Sequence, residues 1–393
     1  MNSVADTMNN TLRKHVQSGF VPGLVAGVWR NGELKTEVLG AHSFGGAPMQ
    51  ANSIFRLASI TKPVVAAAAM ILVDDGKLKL DEPVDALLPE LANRKVLTSI
   101  DAPLDAVVPA IRAITLRDLL NMTFGLGAVI AYPPKYPVQA AMIGAEVAPD
   151  AKIFQHPAAD YMARIGALPL LAQPGEGWFY HTGLDIAGVL IARAARRPLS
   201  EFMQERIFAP LGMEDTGFFV PEGKRERLVG FHRRDPNTGK AALLDDPWTE
   251  FLKPPIFESG GGGLVSTVPD YMAFFRLMLA NGEHNGKRIL CKASVAKVTE
   301  NQLSPAMRAT DHAKFVLGAT AGWGLGGSVE LGNSPLGFPA GAFGWNGGYG
   351  TTAYIDPASG TAGVLLTQRL MDSPIPPPTY VDFWKQVFIT QSK

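Results

Sequence analysis

The sequence predicts an α+β fold: an antiparallel sheet flanked by helices, with a mostly helical region inserted between its N- and C-terminal strands. Three observations predict it. Two apolar runs, residues 24–29 and 34–39, flank Asn31-Gly32, the dipeptide best suited to a two-residue hairpin turn. Near the C-terminus, residues 352–355 and 362–367 read as two further strands joined by Asp356-Pro-Ala-Ser-Gly360. Between these pairs, residues 85–250 carry helical patterns instead. The expected organisation is one discontinuous domain, residues 1–84 and 251–393, holding a helical domain of residues 85–250.

Taken in order, residues 8–19 read as an amphipathic opening helix, followed by the Asn31-Gly32 hairpin. Residues 64–73 contain no polar side chain, so the helix they form is expected to be buried on every side. Pro63 marks its first turn, because a proline ring clashes with the carbonyl four residues earlier. Asp75-Gly76 ends it. Thr115-Leu-Arg-Asp118 is a capping signal. Residues 129–156, with Tyr132-Pro-Pro-Lys-Tyr-Pro137, show few regular signals; such a stretch reads as a lid or wall over a site, or as a surface excursion. Helices are expected over 184–195 and 199–207. Gly260-Gly-Gly-Gly263 leads into an extended 264–268, and Pro269 opens a helix through Met278. Tyr380, Phe383, Trp384, Val387 and Phe388 mark one face of a closing helix. The first and last helices are expected on one face of the sheet.

Composition narrows the function. The 393 residues are 47% hydrophobic and 18% charged, with 36 basic and 36 acidic side chains. Such a balance does not favour nucleic acid or an anionic membrane surface as a partner. Cys291 is the one cysteine, so no intrachain disulfide forms. The apolar run at 64–73 is far short of the ~20 residues a membrane span needs. The N-terminus has neither the basic nor the apolar segment of a secretory signal. A cytoplasmic protein is expected, with its oligomeric state left open.

The chemistry centres on Ser59-Ile-Thr-Lys62. Residues three apart share a helix face, so Lys62 reaches back to the Ser59 hydroxyl. Ser59 sits at the helix N-terminus, among unpaired N–H groups and the positive end of the dipole. A nucleophile there has a cation beside it and its own N–H as an oxyanion donor. Other hydrolase signatures are absent: there is no G-x-S-x-G and no H-E-x-x-H. His15, His42, His156, His181, His232, His284 and His312 have no ligand spacing, so no metal is expected. Gly322-Trp-Gly324-Leu-Gly-Gly327 matches G-x-G-x-x-G but lacks a strand–turn–helix setting, and no cofactor is expected. With no histidine base apparent, the base is either Lys62, its pKa lowered by its surroundings, or a tyrosine beside the ammonium.

Several segments, in order, resemble the penicillin-recognising serine hydrolases, the group of class C β-lactamases, DD-peptidases and family VIII carboxylesterases. They are Phe55–Pro63, Gly76–Val84, Ile114–Leu126, Pro174-Gly-Glu-Gly-Trp-Phe-Tyr180-His-Thr182, Phe208–Gly217, Gly260–Asp270 and Trp345-Asn-Gly347-Gly348. The resemblance covers roughly residues 15–390 and implies the β-lactamase/DD-peptidase-like fold. It implies Ser59 as nucleophile, Tyr180 and Lys62 as base pair, and Gly348 with Ser59 as oxyanion donors. Two departures matter. Trp345 stands where the lactamase third motif has a lysine, so the cation for a substrate carboxylate is missing. Tyr180-His181-Thr182 replaces Tyr-x-Asn. Both favour a family VIII-like carboxylesterase acting on short-chain, neutral carboxylic esters.

The expected mechanism is acyl transfer, with Tyr180 held as phenolate by Lys62 and Gly347 letting substrate approach the strand edge. Trp345, Phe124, Trp178, Phe257 and Tyr349 are candidate walls of the substrate pocket. The alternatives are a β-lactam hydrolase or acyltransferase with the same nucleophile, and a non-catalytic ligand-binding relative.

Overall fold

The computed structural model describes residues 4–129, 133–149, 154–244, 248–332 and 334–388. Its centre is a seven-stranded sheet in which every neighbouring pair is antiparallel. The strands are β1 (Gly23–Arg30), β2 (Glu33–Gly40), β3 (Ala321–Trp323), β4 (Ser328–Glu330), β5 (Phe343–Gly347), β6 (Thr351–Asp356) and β7 (Thr361–Thr367). Their spatial order is β3-β4-β5-β6-β7-β1-β2. The chain's two ends therefore meet at the pairing of β1 with β7, where Leu24 lies opposite Thr367 and Trp29 opposite Ala362. Asn31 and Gly32, both at positive φ, turn the first hairpin as the dipeptide requires.

Period-two alternation divides the sheet's side chains between two faces. Leu24, Ala26, Tyr354 and Leu365 pack with Tyr380, Phe383 and Trp384. These last three belong to the closing helix Pro378–Phe388, which lies beside the opening helix α1 (Val4–Gln17). The alternate residues Val25, Ala353, Val364 and Leu366 join the large core on the other face. There the helix Val268–Leu279 rests on β1 and β7. Gly27 lies directly under it: a Cβ there would come within 2.5 Å of Val268 Cγ1.

Ser59 lies in a 3-10 turn, Ala58–Ile60, that runs straight into α2 (Thr61–Asp74). The apolar sequence has the expected consequence, since Val64 to Leu72 are all essentially inaccessible to solvent. Helix α3 (Thr182–Ala195) packs along α2, and its first turn follows Tyr180. The Thr115 cap forms as anticipated: its hydroxyl accepts from the Asp118 N–H and the Asp118 carboxylate takes the Thr115 N–H.

Three local expectations need correction. Residues 129–156 are not wholly irregular, because Pro137–Gly144 is helical. Pro137 stands at its first turn, where a proline is favoured rather than disruptive; Tyr132 lies outside the described residues. Two short ladders, Lys95–Leu97 with Val107–Pro109 and His232–Arg234 with Ala241–Leu243, interrupt the helical region. Three-residue strands are too short for a period to register. The same brevity hid β3 and β4, and the Gly322–Gly327 motif is the end of β3 and the turn that joins it to β4. Gly326, at φ +79°, lies against the backbone of α2, and a Cβ there would sit 2.6 Å from the Lys62 carbonyl oxygen.

Candidate active site

The start of α2, the residues leading into α3 and the end of β5 meet at a cavity of about 520 Å³. Ser59 and Tyr180 line it, with Trp345, Asn346, Gly348 and Tyr349 on the sheet side. Ala128, just before the 129–156 segment, and Pro149 and Phe154 within it form a further wall of the site. Leu370, Met371 and Pro374 lie on its border with Val316. Among the described residues, no lysine, arginine, aspartate or glutamate lines it.

Lys62 reaches Ser59 from below. It is fully buried, and its Nζ lies 2.9 Å from Ser59 Oγ. It donates to the Gly261 carbonyl at 2.5 Å and lies 3.3 Å from His181 Nδ1. Burial lowers its pKa to about 7, although the negative charge of Asp185 opposes the shift. Lys62 Nζ also sits 4.7 Å from the centre of the Tyr180 ring.

The Tyr180 hydroxyl is hydrogen-bonded to Ser59 and accepts the Trp345 indole N–H at 2.5 Å. Burial pushes its pKa above the ordinary phenol value, outweighing the two hydrogen bonds. A resting phenolate on Tyr180 is therefore disfavoured, contrary to the sequence expectation. Desolvation works against both charged forms, raising the pKa of the Tyr180 phenol and lowering that of the Lys62 ammonium to about 7.

Among the described residues, the N–H groups of Ser59 and Gly348 have no hydrogen-bond acceptor. The Ser59 N–H is in the first turn of its helix, where no intrahelical acceptor exists. The Gly348 N–H follows the end of β5 and has no acceptor among the described residues. A Cβ on Gly348 would meet nothing within 4 Å.

The remaining expected site residues divide. Trp345 and Tyr349 line the cavity, Tyr349 with its ring edge-on to Phe231. Gly347 does not open toward substrate. A Cβ there would lie 2.1 Å from Thr351 Oγ1 and 2.2 Å from the Leu57 carbonyl oxygen, so the residue is a packing glycine between β5 and the turn before Ser59. Phe124, Trp178 and Phe257 are buried behind the cavity rather than on it. Trp178 supports Tyr180 with ring centres 5.9 Å apart, and Phe257 supports the lining Phe154 at 5.4 Å. Residue type alone does not distinguish a wall from the layer behind it.

Sequence reasoning noted His181 only as a departure in the second motif and gave neither it nor Asp185 a role. Asp185 is fully buried on α3, and its Oδ1 takes the Ser259 hydroxyl at 2.6 Å and the Gly261 N–H at 2.8 Å. Its Oδ2 lies 3.0 Å from His181 Nε2. Burial opposes ionisation of this carboxyl, yet His181, Ser259 and Gly261 together hold its pKa below the usual range. The four-residue spacing of His181 and Asp185 was the available signal. His312 was also missed; it packs against Trp178, and burial lowers its pKa to about 4. Among the described residues, no group of three or more His, Cys, Asp or Glu is arranged to hold a metal ion.

A serine and a buried lysine one helical turn apart, at the cavity edge beside an antiparallel sheet, define a class: the active-site serine enzymes of β-lactamase fold. The β-lactamase family profile matches residues 8–377, and the chain belongs to that family. An uncharacterized protein of Mycobacterium tuberculosis is 34% identical, the match covering 92% of this chain and 89% of that one. Lovastatin esterase of Penicillium rubens is 31% identical over 82% of each chain. Esterase EstB of Burkholderia gladioli is 29% identical, covering 93% of this chain and 90% of the other. Among solved structures, unliganded simvastatin synthase from Aspergillus terreus superposes with a TM-score of 0.80 at 25% identity over the whole of both chains. The structure of EstCE1, described as a hydrolase with promiscuous acyltransferase activity, gives 0.83 at 22% identity over 98% of each, a likeness of fold. The protein is a β-lactamase-fold serine hydrolase with esterase and acyltransferase relatives.

Proposed function

We propose that the protein is a family VIII-type serine carboxylesterase that hydrolyses small neutral esters through an acyl-enzyme on Ser59. The observation that carries this reading is the 2.9 Å contact between Lys62 Nζ and Ser59 Oγ, at the edge of a cavity without a lining carboxylate, ammonium or guanidinium among the described residues. Neutral Lys62 takes the Ser59 proton as Oγ attacks the ester carbonyl. The resulting oxyanion lies between the N–H groups of Ser59 and Gly348. As the tetrahedral intermediate collapses, the Tyr180 hydroxyl gives its proton to the departing alcohol. Tyr180 is then a phenolate facing the Lys62 ammonium, so the ion pair belongs to the acyl-enzyme rather than to the resting state. In the second half-reaction, the phenolate takes a proton from the attacking water, and Ser59 Oγ leaves with the proton from Lys62. Both groups return to their starting states.

The curated esterase relatives support the reading, as does Trp345 at the position where a lactamase would hold its cation. A second reading is acyl transfer to an alcohol. It is favoured by the likeness to simvastatin synthase and by 29% identity to monacolin J acid methylbutanoyltransferase of Aspergillus terreus. The experiment is kcat/KM for p-nitrophenyl acetate, butyrate and octanoate, with and without added alcohols, beside Ser59→Ala and Lys62→Ala. Turnover that vanishes in both variants is expected. Full turnover in either variant overturns the assignment of nucleophile or base.

A further inference from the structure

Asp185 is an ionised carboxylate in the interior, and the acyl-transfer steps above make no use of it. Nor do they use His181, whose backbone is held at φ +83°, ψ −65°, a sparsely populated conformation for any residue with a side chain. Strain of this kind persists only where the surroundings over-determine it. Here it turns the imidazole between Asp185 and Lys62, with Nε2 at 3.0 Å from one and Nδ1 at 3.3 Å from the other. Gly261 closes the arrangement. A Cβ on it would lie 2.7 Å from His181 Nε2 and 2.9 Å from Asp185 Oδ1, so only a glycine lets its N–H reach Asp185 and its carbonyl reach Lys62.

We propose that His181 and Asp185 are positioning residues for Lys62, orienting its amine lone pair onto Ser59. Hydrogen-bond bookkeeping leads to this. The carboxylate can only accept, so the imidazole nitrogen beside it carries the proton. Nδ1 is then left with its lone pair facing Lys62. A neutral amine has two N–H bonds and one lone pair. The Gly261 carbonyl takes one N–H and His181 Nδ1 takes the other, and the remaining direction is that of Ser59 Oγ. When Lys62 accepts the serine proton, the negative charge of Asp185 favours the ammonium. The groups facing this cluster are Lys62 from α2, Tyr180, His181 and Asp185 from α3 and its approach, and Tyr161 beside Asp185. Asp185 is the acidic member of the set.

The inference rests on Lys62 being the base for Ser59, and the test separates the two. The pH profiles of kcat and kcat/KM for p-nitrophenyl butyrate are measured for the native protein, His181→Leu, His181→Asn and Asp185→Asn, with melting temperatures alongside. His181→Leu removes the acceptor for the lysine N–H and should lower kcat by about 10²-fold, the low end of general-base contributions, with little change in KM. His181→Asn offers an amide oxygen close to the former Nδ1 and tolerates the backbone conformation, and it should recover most of that loss. Asp185→Asn removes the charge that favours the Lys62 ammonium and should move the acid limb of kcat/KM to lower pH. Unchanged kcat in His181→Leu overturns the proposal. So do equal losses in both His181 variants that still melt as the native protein does, and so does an acid limb unmoved in Asp185→Asn. Loss of the Lys62 role itself would be seen separately, as full activity in Lys62→Ala.

Discussion

The indole N–H of Trp345 donates to the hydroxyl of Tyr180 at 2.5 Å, across the cavity edge from Ser59. A tryptophan at this position thus does two things: it withholds a cation from the site and it engages the phenol. Trp345→Phe keeps a ring against Trp323, which it meets edge-on at 4.7 Å, but removes the donor. A hydrogen bond of this kind contributes about 1–1.5 kcal/mol net, which corresponds to about tenfold in rate. The expected outcome is a kcat lower by about that factor for p-nitrophenyl butyrate. A larger effect on KM than on kcat would assign Trp345 to substrate binding alone.

The pH dependence follows from Lys62. Its folded-state pKa is about 7, below its ordinary value of 10.5. With Lys62 as the proposed base, only its neutral form acts, so kcat/KM should fall about tenfold per pH unit below pH 7 and level off above it. Steady-state kinetics between pH 5 and 9 would reveal this limb.

The same shift bears on stability. Between pH 7 and 10.5 the unfolded chain holds the Lys62 proton and the folded chain does not, so stability rises with pH across that window. Below pH 7 the burial penalty is fully present. Lys62→Met should therefore be inactive yet melt at a higher temperature, with the larger gain at pH 6 and a smaller one at pH 9. Melting curves at the two pH values decide it.

Gly347→Ala tests the correction made to that residue. Its new Cβ would strike the backbone carbonyl of Leu57, which cannot move aside as a flexible side chain would. A destabilisation of about 1–3 kcal/mol is expected from such overpacking. The reading to compare is the melting temperature of the variant against that of Gly348→Ala, where the space is open. Gly348→Ala should melt close to the native protein.

Substrate charge is the fifth point. With no lining cation among the described residues, a carboxylate entering the cavity loses its solvation without a partner. Forgoing a charged hydrogen bond of about 1.5–3 kcal/mol corresponds to a penalty of about 10- to 100-fold. Nitrocefin, which carries a carboxylate, should turn over more slowly than p-nitrophenyl butyrate by at least this margin. Comparable rates would restore the β-lactam reading.

Local pattern carried much of this protein into view. The Asn31-Gly32 hairpin, the Thr115 cap, the all-apolar helix behind Ser59 and the face of the closing helix were legible because each depends on residues within a turn or two of one another. Ser59 and Lys62 belong to the same group, since three residues on a helix already bring their side chains together. What the sequence by itself determined, then, is the elements and the pairing of Ser59 with Lys62. Tertiary structure alone decided the rest. Phe124, Trp178 and Phe257 have the composition of a pocket wall, yet they sit one layer behind it. Gly347 and Gly348 are adjacent in sequence and opposite in role, one wedged against Leu57 and the other facing open space. Even the protonation state turned on it. Burial is a property of the packed interior, and only there does desolvation raise the Tyr180 pKa above the phenol value and lower that of Lys62 to about 7.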